Sequence, residues 1–156
     1  MPATRRTITV TETVRVDRPP EDVFEFTQDY GRRSEWDTAV TESHVVGDSP
    51  RRIRIAVRGL GRFTVAYRLF RRPERTSAAF VDVESRWISG GGGSWQYEPI
   101  GDATEWTQTN TLELTGGWLT RILGPLFARN LRASMRAAMA RAKSMMESGT
   151  AREGVS

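Results

Sequence analysis

The sequence predicts an α+β fold, in which an antiparallel seven-stranded sheet is combined with two short helices and one long C-terminal helix. Apolar and polar residues alternate along seven segments, one at residues 7–16 and six between residues 39 and 115. Between the first segment and the others lie two prolines followed by a short apolar face, and this pattern indicates a helix there. After residue 117 the apolar residues recur every three or four positions, as on one face of a long helix.

The length and composition indicate a single globular domain. With 156 residues, the chain is most simply one domain over residues 1–147, followed by a tail, 148–156, that is expected to be disordered. No segment resembles a signal-peptide core or the run of ~18 apolar residues that spans a membrane, so we expect a cytoplasmic protein without stable membrane insertion. The chain has no cysteine and one histidine, with no paired ligand spacing, so neither a metal site nor a cofactor is predicted.

The charge balance does not predict a nucleic-acid partner. The chain has 23 basic and 19 acidic residues, and Lys143 is its only lysine. Arginine is well suited to phosphate recognition. The arginines are nevertheless scattered, acidic residues lie among them, and no recognised nucleic-acid-binding motif accompanies them.

The first strand and the short helices follow from residues 7–36. Threonines alternate with aliphatic residues over 7–16, which predicts a half-buried strand. Pro19 and Pro20 end that strand, and a proline suits the first position of a helix. A second short helix is expected to reach Trp36, which we expect to pack both helices against the sheet.

The glycine-rich stretch RWISGGGGSWQYEP, residues 86–99, is predicted to be a hairpin. A phosphate-binding loop would need a helix and usually a lysine after the glycines, whereas SWQYEP alternates like a strand. Gly90 to Gly93 are therefore expected to link two strands, permitting positive φ or a bulge and leaving room at a cavity edge, with Trp87 near Trp95. On the preceding strand, the alternation predicts an inward line of Val81, Val83, Ser85 and Trp87.

The long helix is predicted over WLTRILGPLFARNLRASMRAAMARAKSMME, and Pro125 should kink it or mark its true start. Its first part, Gly117–Phe127, combines bulky apolar residues with arginines. Packing on the rim of the sheet is the preferred interpretation. A lid, a surface for transient membrane contact and a homodimer contact are the alternatives.

Three stretches resemble one known superfamily. They are VRVDRPPEDVFEFTQD followed by Trp36, the hairpin WQYEPIGDATEWTQTNTLEL and the terminal RNLRASMRAAMARAKSMME. In this order they resemble the SRPBCC superfamily (START/Bet v 1-like, helix-grip fold), and most of all its polyketide cyclase/dehydrase and lipid-transport branch, over about residues 7–147. The resemblance implies a curved sheet around the long helix and a cavity that binds lipids, polyketides, hormones or quinone-like molecules. It carries over no catalytic residue, because the superfamily has no universal catalytic signature.

Two amides are the most informative candidates for ligand binding. Gln108 and Asn110 alternate with Trp106 and Leu112, so all four share one face of a strand. A buried amide without a partner costs about 1–3 kcal/mol, so we expect both to line the cavity and to orient a polar group of the ligand. A strand end near solvent, or amides bonded to protein neighbours, is the alternative. The predicted ligand-binding residues are Tyr67, Ser85, Trp87, Trp95, Tyr97, Gln108, Asn110, Leu131, Met135 and Met139.

Catalytic residues are predicted less specifically. His44 is the only histidine, and Glu42 on the same face could orient it as a general base. Tyr67 could act as an acid through its phenol. The commoner roles are structural: a lone histidine on a strand usually lies at the surface, and a tyrosine in a cavity wall usually has its hydroxyl bonded to protein. The predicted function is binding, or transport, of a hydrophobic small molecule, either lipid-like or polyketide-like and aromatic, in an internal cavity. The alternatives are a polyketide cyclase/dehydrase or aromatase, which requires an ionisable group in the cavity, and a partner-binding module without a cavity.

Overall fold

The computed structural model describes residues 6–115 and 117–149, and it confirms the α+β fold with a seven-stranded antiparallel sheet. Of the predicted tail, residues 150–156 lie outside the described residues. The elements are β1 Arg6–Val16, α1 Pro20–Gln28, a 3₁₀ turn Tyr30–Arg32, α2 Arg33–Trp36, β2 Val40–Asp48, β3 Arg51–Val57, β4 Gly61–Arg71, β5 Arg75–Glu84, β6 Ile88–Ile100, β7 Ala103–Leu114 and α3 Trp118–Glu147.

The sheet brings the first and last strands side by side, in the order β1-β7-β6-β5-β4-β3-β2. Across the β1–β7 pair, threonines on the outer face form a ladder of hydroxyl hydrogen bonds, such as Thr13 to Thr107 at 2.9 Å. On the inner face, Glu12 meets Arg132 and Arg136 of α3 at 3.3 and 3.0 Å. The curved sheet thus has one face toward α3, as the alternation predicts.

The interior divides into two clusters of buried apolar residues. The first cluster lies near α1 and α2 and centres on Trp36, which is fully buried and packs edge-on against Trp106 at 5.8 Å. The second cluster lies toward the N-terminal half of α3 and contains Phe63, Leu112 and Met135. The C-terminal half of α3 faces the first cluster.

The four consecutive glycines lie inside one strand, so the predicted hairpin is wrong. β6 runs unbroken through Gly90–Gly93 and pairs with β7 along its length, with one register shift between Ile88 and Gly90. A Cβ atom at Gly91 or Gly92 would collide with a carbonyl oxygen of the neighbouring strand. The glycines therefore permit close strand contact and a bulge rather than a reversal. Trp87 precedes β6 and is 37% exposed, whereas Trp95 is buried within it.

The inward line predicted on β5 is also partly wrong. The register between β4 and β5 shifts after Thr64, so that Val81 is the extra residue of a bulge between Phe80 and Asp82. A bulge changes which face the following residues occupy. Phe80 consequently lines the interior, while Val81 is 56% exposed.

Pro125 lies within α3 and does not mark the start of the helix, which begins at Trp118. A proline has no N–H, so the carbonyl of Arg121, four residues earlier, loses its helical donor. Arg6 replaces that donor from β1, since its Nη1 lies 2.7 Å from the Arg121 oxygen. Gly124 makes room for this contact, because a Cβ there would lie 2.9 Å from Nε of Arg6.

No helix within the described ranges is long and apolar enough to cross a membrane.

Candidate functional site

A cavity of about 160 Å³ lies between the sheet and α3, where the two apolar clusters leave space. Its walls come from β3 to β7, from α3 and from the segment around α2. Most of the wall is apolar, as in typical ligand pockets. The apolar lining includes Ile55, Phe63, Phe80, Ile88, Leu112 and Met135.

The amides of Gln108 and Asn110 lie in this cavity wall. They occupy successive inward positions of β7, between Trp106 of the first cluster and Leu112 of the second. Gln108 is 3% exposed, and neither side chain is hydrogen-bonded to any residue that the structure describes. Gly93 provides space for the second amide, because a Cβ there would lie 2.8 Å from Oδ1 of Asn110. Two amides therefore face the cavity with unused donors and acceptors.

Arg33 and Asp37 form a buried ion pair in the same wall, and neither residue was predicted from the sequence. Nε and Nη2 of Arg33 lie 3.2 and 2.9 Å from Oδ2 of Asp37. The other carboxylate oxygen accepts the backbone N–H of Ala39 at 3.2 Å. The available signal was their four-residue spacing, which places two opposite charges on one side of a helical turn next to Trp36.

Tyr67 lines the cavity, but its hydroxyl is already bonded to protein. It donates to Oε1 of Gln28 at 2.6 Å, and its oxygen lies 2.9 Å from the hydroxyl of Tyr30. The Gln28 amide in turn donates to the hydroxyl of Tyr97 at 2.9 Å. Burial raises the pKa of both Tyr67 and Tyr97 above the usual value for tyrosine, so the phenols stay protonated.

The other predicted ligand-binding residues divide into two groups. Trp95, Leu131 and Met135 line the cavity. Ser85, Trp87, Tyr97 and Met139 do not: the Ser85 hydroxyl accepts the N–H groups of Trp87 and Ile88, while Tyr97 and Met139 pack within the first cluster. A role in ligand binding stays a prediction for every member of both groups.

His44 does not line the cavity; it lies exposed on β2. Its Nδ1 is 3.7 Å from Oε1 of Glu42, so the two side chains share a face as expected. Within the described part of the chain, no group of three or more histidine and carboxylate side chains could hold a metal ion.

The N-terminal half of α3 carries an exposed apolar surface, here called the α3 stripe. It consists of Trp118, Leu119, Ile122, Leu123 and Leu126. The preferred expectation, packing on the rim of the sheet, is therefore wrong for Trp118, Leu119 and Ile122. Leu123 and Leu126 line a cavity together with Leu60 and Leu114, and Phe127 and Leu131 pack against the second cluster. A second cavity of about 220 Å³ lies beneath the stripe and shares Leu60 with the first.

Several solved structures share the fold of this chain. TTHA0849 from Thermus thermophilus has a TM-score of 0.78 at 18% identity, covering 91% of this chain and 99% of that one. The Zhui aromatase/cyclase from Streptomyces sp. R1128 has a TM-score of 0.70 at 16% identity, covering 90% and 96%. A START superfamily protein from Mycobacterium smegmatis has a TM-score of 0.60 at 16% identity, covering 85% and 98%. These structures thus share the helix-grip fold of this chain.

The family model for polyketide cyclase / dehydrase and lipid transport matches residues 7–147. The chain therefore belongs to that family, which confirms the resemblance seen in the sequence. A comparison with curated protein sequences finds no significant match.

Proposed function

We propose that this protein binds a small, largely apolar molecule that carries at least one hydroxyl or carbonyl group. The observation that supports the proposal is the pair of amides, Gln108 and Asn110, which lie in an apolar wall without hydrogen-bond partners among the described residues. Gln108 is 3% exposed and Asn110 is half-buried, so both amides keep donors and acceptors that can bond to a group inside the cavity. A ligand that fills the apolar space can bond to them with its polar group.

The size of the cavity favours a ligand of one or two rings. Drug-sized ligands occupy pockets of about 300–1,000 Å³, and an apolar cavity of about 150 Å³ accepts benzene. The cavity here, at about 160 Å³, is close to the second value. A complete lipid therefore fits this structure less well than a compact aromatic molecule does.

Burial of one aromatic ring system sets the scale of the affinity. About 150–250 Å² of buried ring surface at about 25 cal/mol per Å² gives about 4–6 kcal/mol before association costs. A hydrogen bond to the amides adds about 1 kcal/mol. Because association costs reduce this gross total of about 5–7 kcal/mol, we expect dissociation constants of about 10 μM or weaker.

The substitution Asn110→Leu tests the proposal. We expect the wild-type protein to bind 2-naphthol several times more tightly than naphthalene, because only the naphthol can bond to the amides. The substitution should reduce that preference without weakening naphthalene binding, measured by quenching of tryptophan fluorescence or by calorimetry. Thr111→Val is the matched control, since Thr111 lies on the outer face of the same strand and bonds to Thr9. A preference that is unchanged by Asn110→Leu in a folded protein would contradict the proposed role of this amide.

An enzyme of the cyclase/dehydrase or aromatase type is the second candidate, and the ionisable pair in the cavity wall favours it. Of the residues proposed for proton transfer, His44 lies outside the cavity and Tyr67 is bonded to Gln28. Asp37 is then the group placed to move a proton, although both of its oxygens already accept hydrogen bonds. Mass spectrometry of a recovered poly-β-ketone probe separates the candidates: conversion by wild-type protein but not by Asp37→Asn supports an enzyme, and an unchanged probe supports binding alone.

The α3 stripe supports a proposed contact with an anionic membrane surface, from which an apolar ligand would enter. Trp118 is 74% exposed, and tryptophan favours the interface between lipid and water. Four exposed arginines each adjoin in sequence a residue that lines the second cavity, and none forms an ion pair with a described residue. One acidic residue, Glu113, adjoins the same lining at Leu114. The arginines are Arg58, Arg86, Arg121 and Arg129.

A further inference from the structure

The charges in the cavity wall cancel. Arg33 and Asp37 are the two charged side chains among the described residues that line the cavity. The wall therefore has a formal net charge of zero, even though it contains a buried arginine.

The geometry holds this pair firmly together. Both of the arginine nitrogens that contact the carboxylate bond to the same oxygen, and the side chains of Arg33 and Asp37 are only 8% and 12% exposed. The guanidinium carbon also lies 4.3 Å from the ring centre of Trp36 and 4.9 Å from that of Trp95. The ring of Trp95 and the amide of Gln108 occupy paired positions on β6 and β7. The neutralised arginine is thus part of the wall that a ligand would contact.

We propose that Asp37 is a specificity-determining residue: by neutralising Arg33, it makes the cavity select neutral ligands with a hydroxyl or carbonyl group over anions of the same shape. The inference rests on the proposed function and names the ligand class of the same cavity. An anion entering the cavity loses its hydration and finds no unpaired positive charge among the side chains that line the cavity. Arg51, which forms no ion pair with a described residue, is not part of the lining and lies against the rings of Tyr30 and Tyr67, 6.0 and 5.7 Å from their centres. A neutral hydroxyl or carbonyl loses less hydration and bonds to the amides of Gln108 and Asn110.

The first test uses the wild-type protein and a matched pair of probes. Calorimetry should show that 2-naphthol binds at least about tenfold more tightly than 2-naphthoate at neutral pH. A nitrophenol gives a second readout, because its ionised form absorbs visible light. Its pKa should rise on binding, since the cavity favours the neutral phenol over the phenolate.

The second test removes the negative charge with Asp37→Asn. The asparagine keeps an oxygen for the backbone N–H of Ala39, while Arg33 becomes an unneutralised cation. The affinity for 2-naphthoate should then rise at least about tenfold, whereas the affinity for 2-naphthol should change by less than about threefold. The pKa of the bound nitrophenol should fall below its value in water.

A buried arginine without its partner can destabilise a fold, so a second variant accompanies the first. In Arg33→Gln/Asp37→Asn both charges are absent, and the preference for 2-naphthol over 2-naphthoate should match that of the wild-type protein. Equal binding of the two probes by wild-type protein would overturn the inference and leave the proposed function standing. Failure of 2-naphthol and naphthalene alike to bind would instead refute the proposed function. A folded Asp37→Asn protein that still rejects 2-naphthoate would show that Asp37 does not set the selectivity.

Discussion

The contact between Arg6 and α3 supports a prediction that depends on Pro125. Because the proline cannot donate to the carbonyl of Arg121, the guanidinium of Arg6 does so at 2.7 Å. Arg6→Met keeps much of the side-chain length but removes the donor. If the Arg6 donor matters because of Pro125, losing the guanidinium should cost little stability in a protein whose residue 125 has its own N–H.

The magnitude follows from the type of hydrogen bond and its exposure. Hydrogen bonds from charged groups contribute about 1.5–3 kcal/mol, and the partial exposure of Arg6 lets water replace part of that. We therefore expect Arg6→Met to lower the free energy of unfolding by about 1 kcal/mol, or the Tm by about 2–4 °C in a chain of this size. In the Pro125→Ala background, Arg6→Met should cost less than about 0.5 kcal/mol, because the restored N–H donates to the same carbonyl.

Urea unfolding of the four proteins of this double-mutant cycle, followed by tryptophan fluorescence, measures the coupling. Arg15→Met is a matched control on the same strand, since the side chain of Arg15 is 63% exposed and its ion-pair partner is Asp17 of the adjoining turn. Its effect should be the same in both backgrounds. Equal costs of Arg6→Met with and without Pro125 would refute the reasoning.

Two further predictions concern the glycines of β6 and the α3 stripe. Gly92→Ala should lower the free energy of unfolding by about 1–3 kcal/mol, because its Cβ would collide with backbone of β5; Gly31→Ala, whose Cβ would meet only Oδ1 of Asp29 at 3.4 Å, should change it by less than about 0.5 kcal/mol. In vesicle flotation, the protein should float with phosphatidylserine vesicles but not with phosphatidylcholine vesicles, and Ile122→Ser/Leu126→Ser should stop it. A protein that does not float but sediments as a dimer would assign the stripe to a second copy of the chain.

The regular elements could be predicted because their signals are local. The alternation of aliphatic residues with threonine in β1 reports which side chains face inward, and the hydroxyl ladder on the outer face agrees with it. Pro20 opens α1 as expected, and the spacing of Met135, Ala138 and Ala142 matches the buried side of α3. These features need no knowledge of which strands become neighbours.

The predictions fail where contact with a neighbouring strand or helix overrides the pattern of the local sequence. Gly90–Gly93 have the composition of a turn, but they form strand because the backbones of β5 and β7 approach them closely. The alternation alone places Val81 inward, because the sequence of β5 gives no sign of the bulge in its pairing with β4. The stripe residue Ile122 continues the apolar spacing of α3, but no part of the sheet covers it.

The candidate site shows the same division. The sequence was sufficient to place Gln108 and Asn110 on the inner face of a strand, because side-chain direction depends only on the alternation of one segment. It did not reveal Arg33 and Asp37 as parts of the cavity wall, nor that Ser85 and Trp87 lie away from it. Those positions depend on how α2 packs against the end of the sheet and on the register between strands. Burial and charge compensation are set by neighbours distant in the sequence, and such contacts exist only in the folded chain.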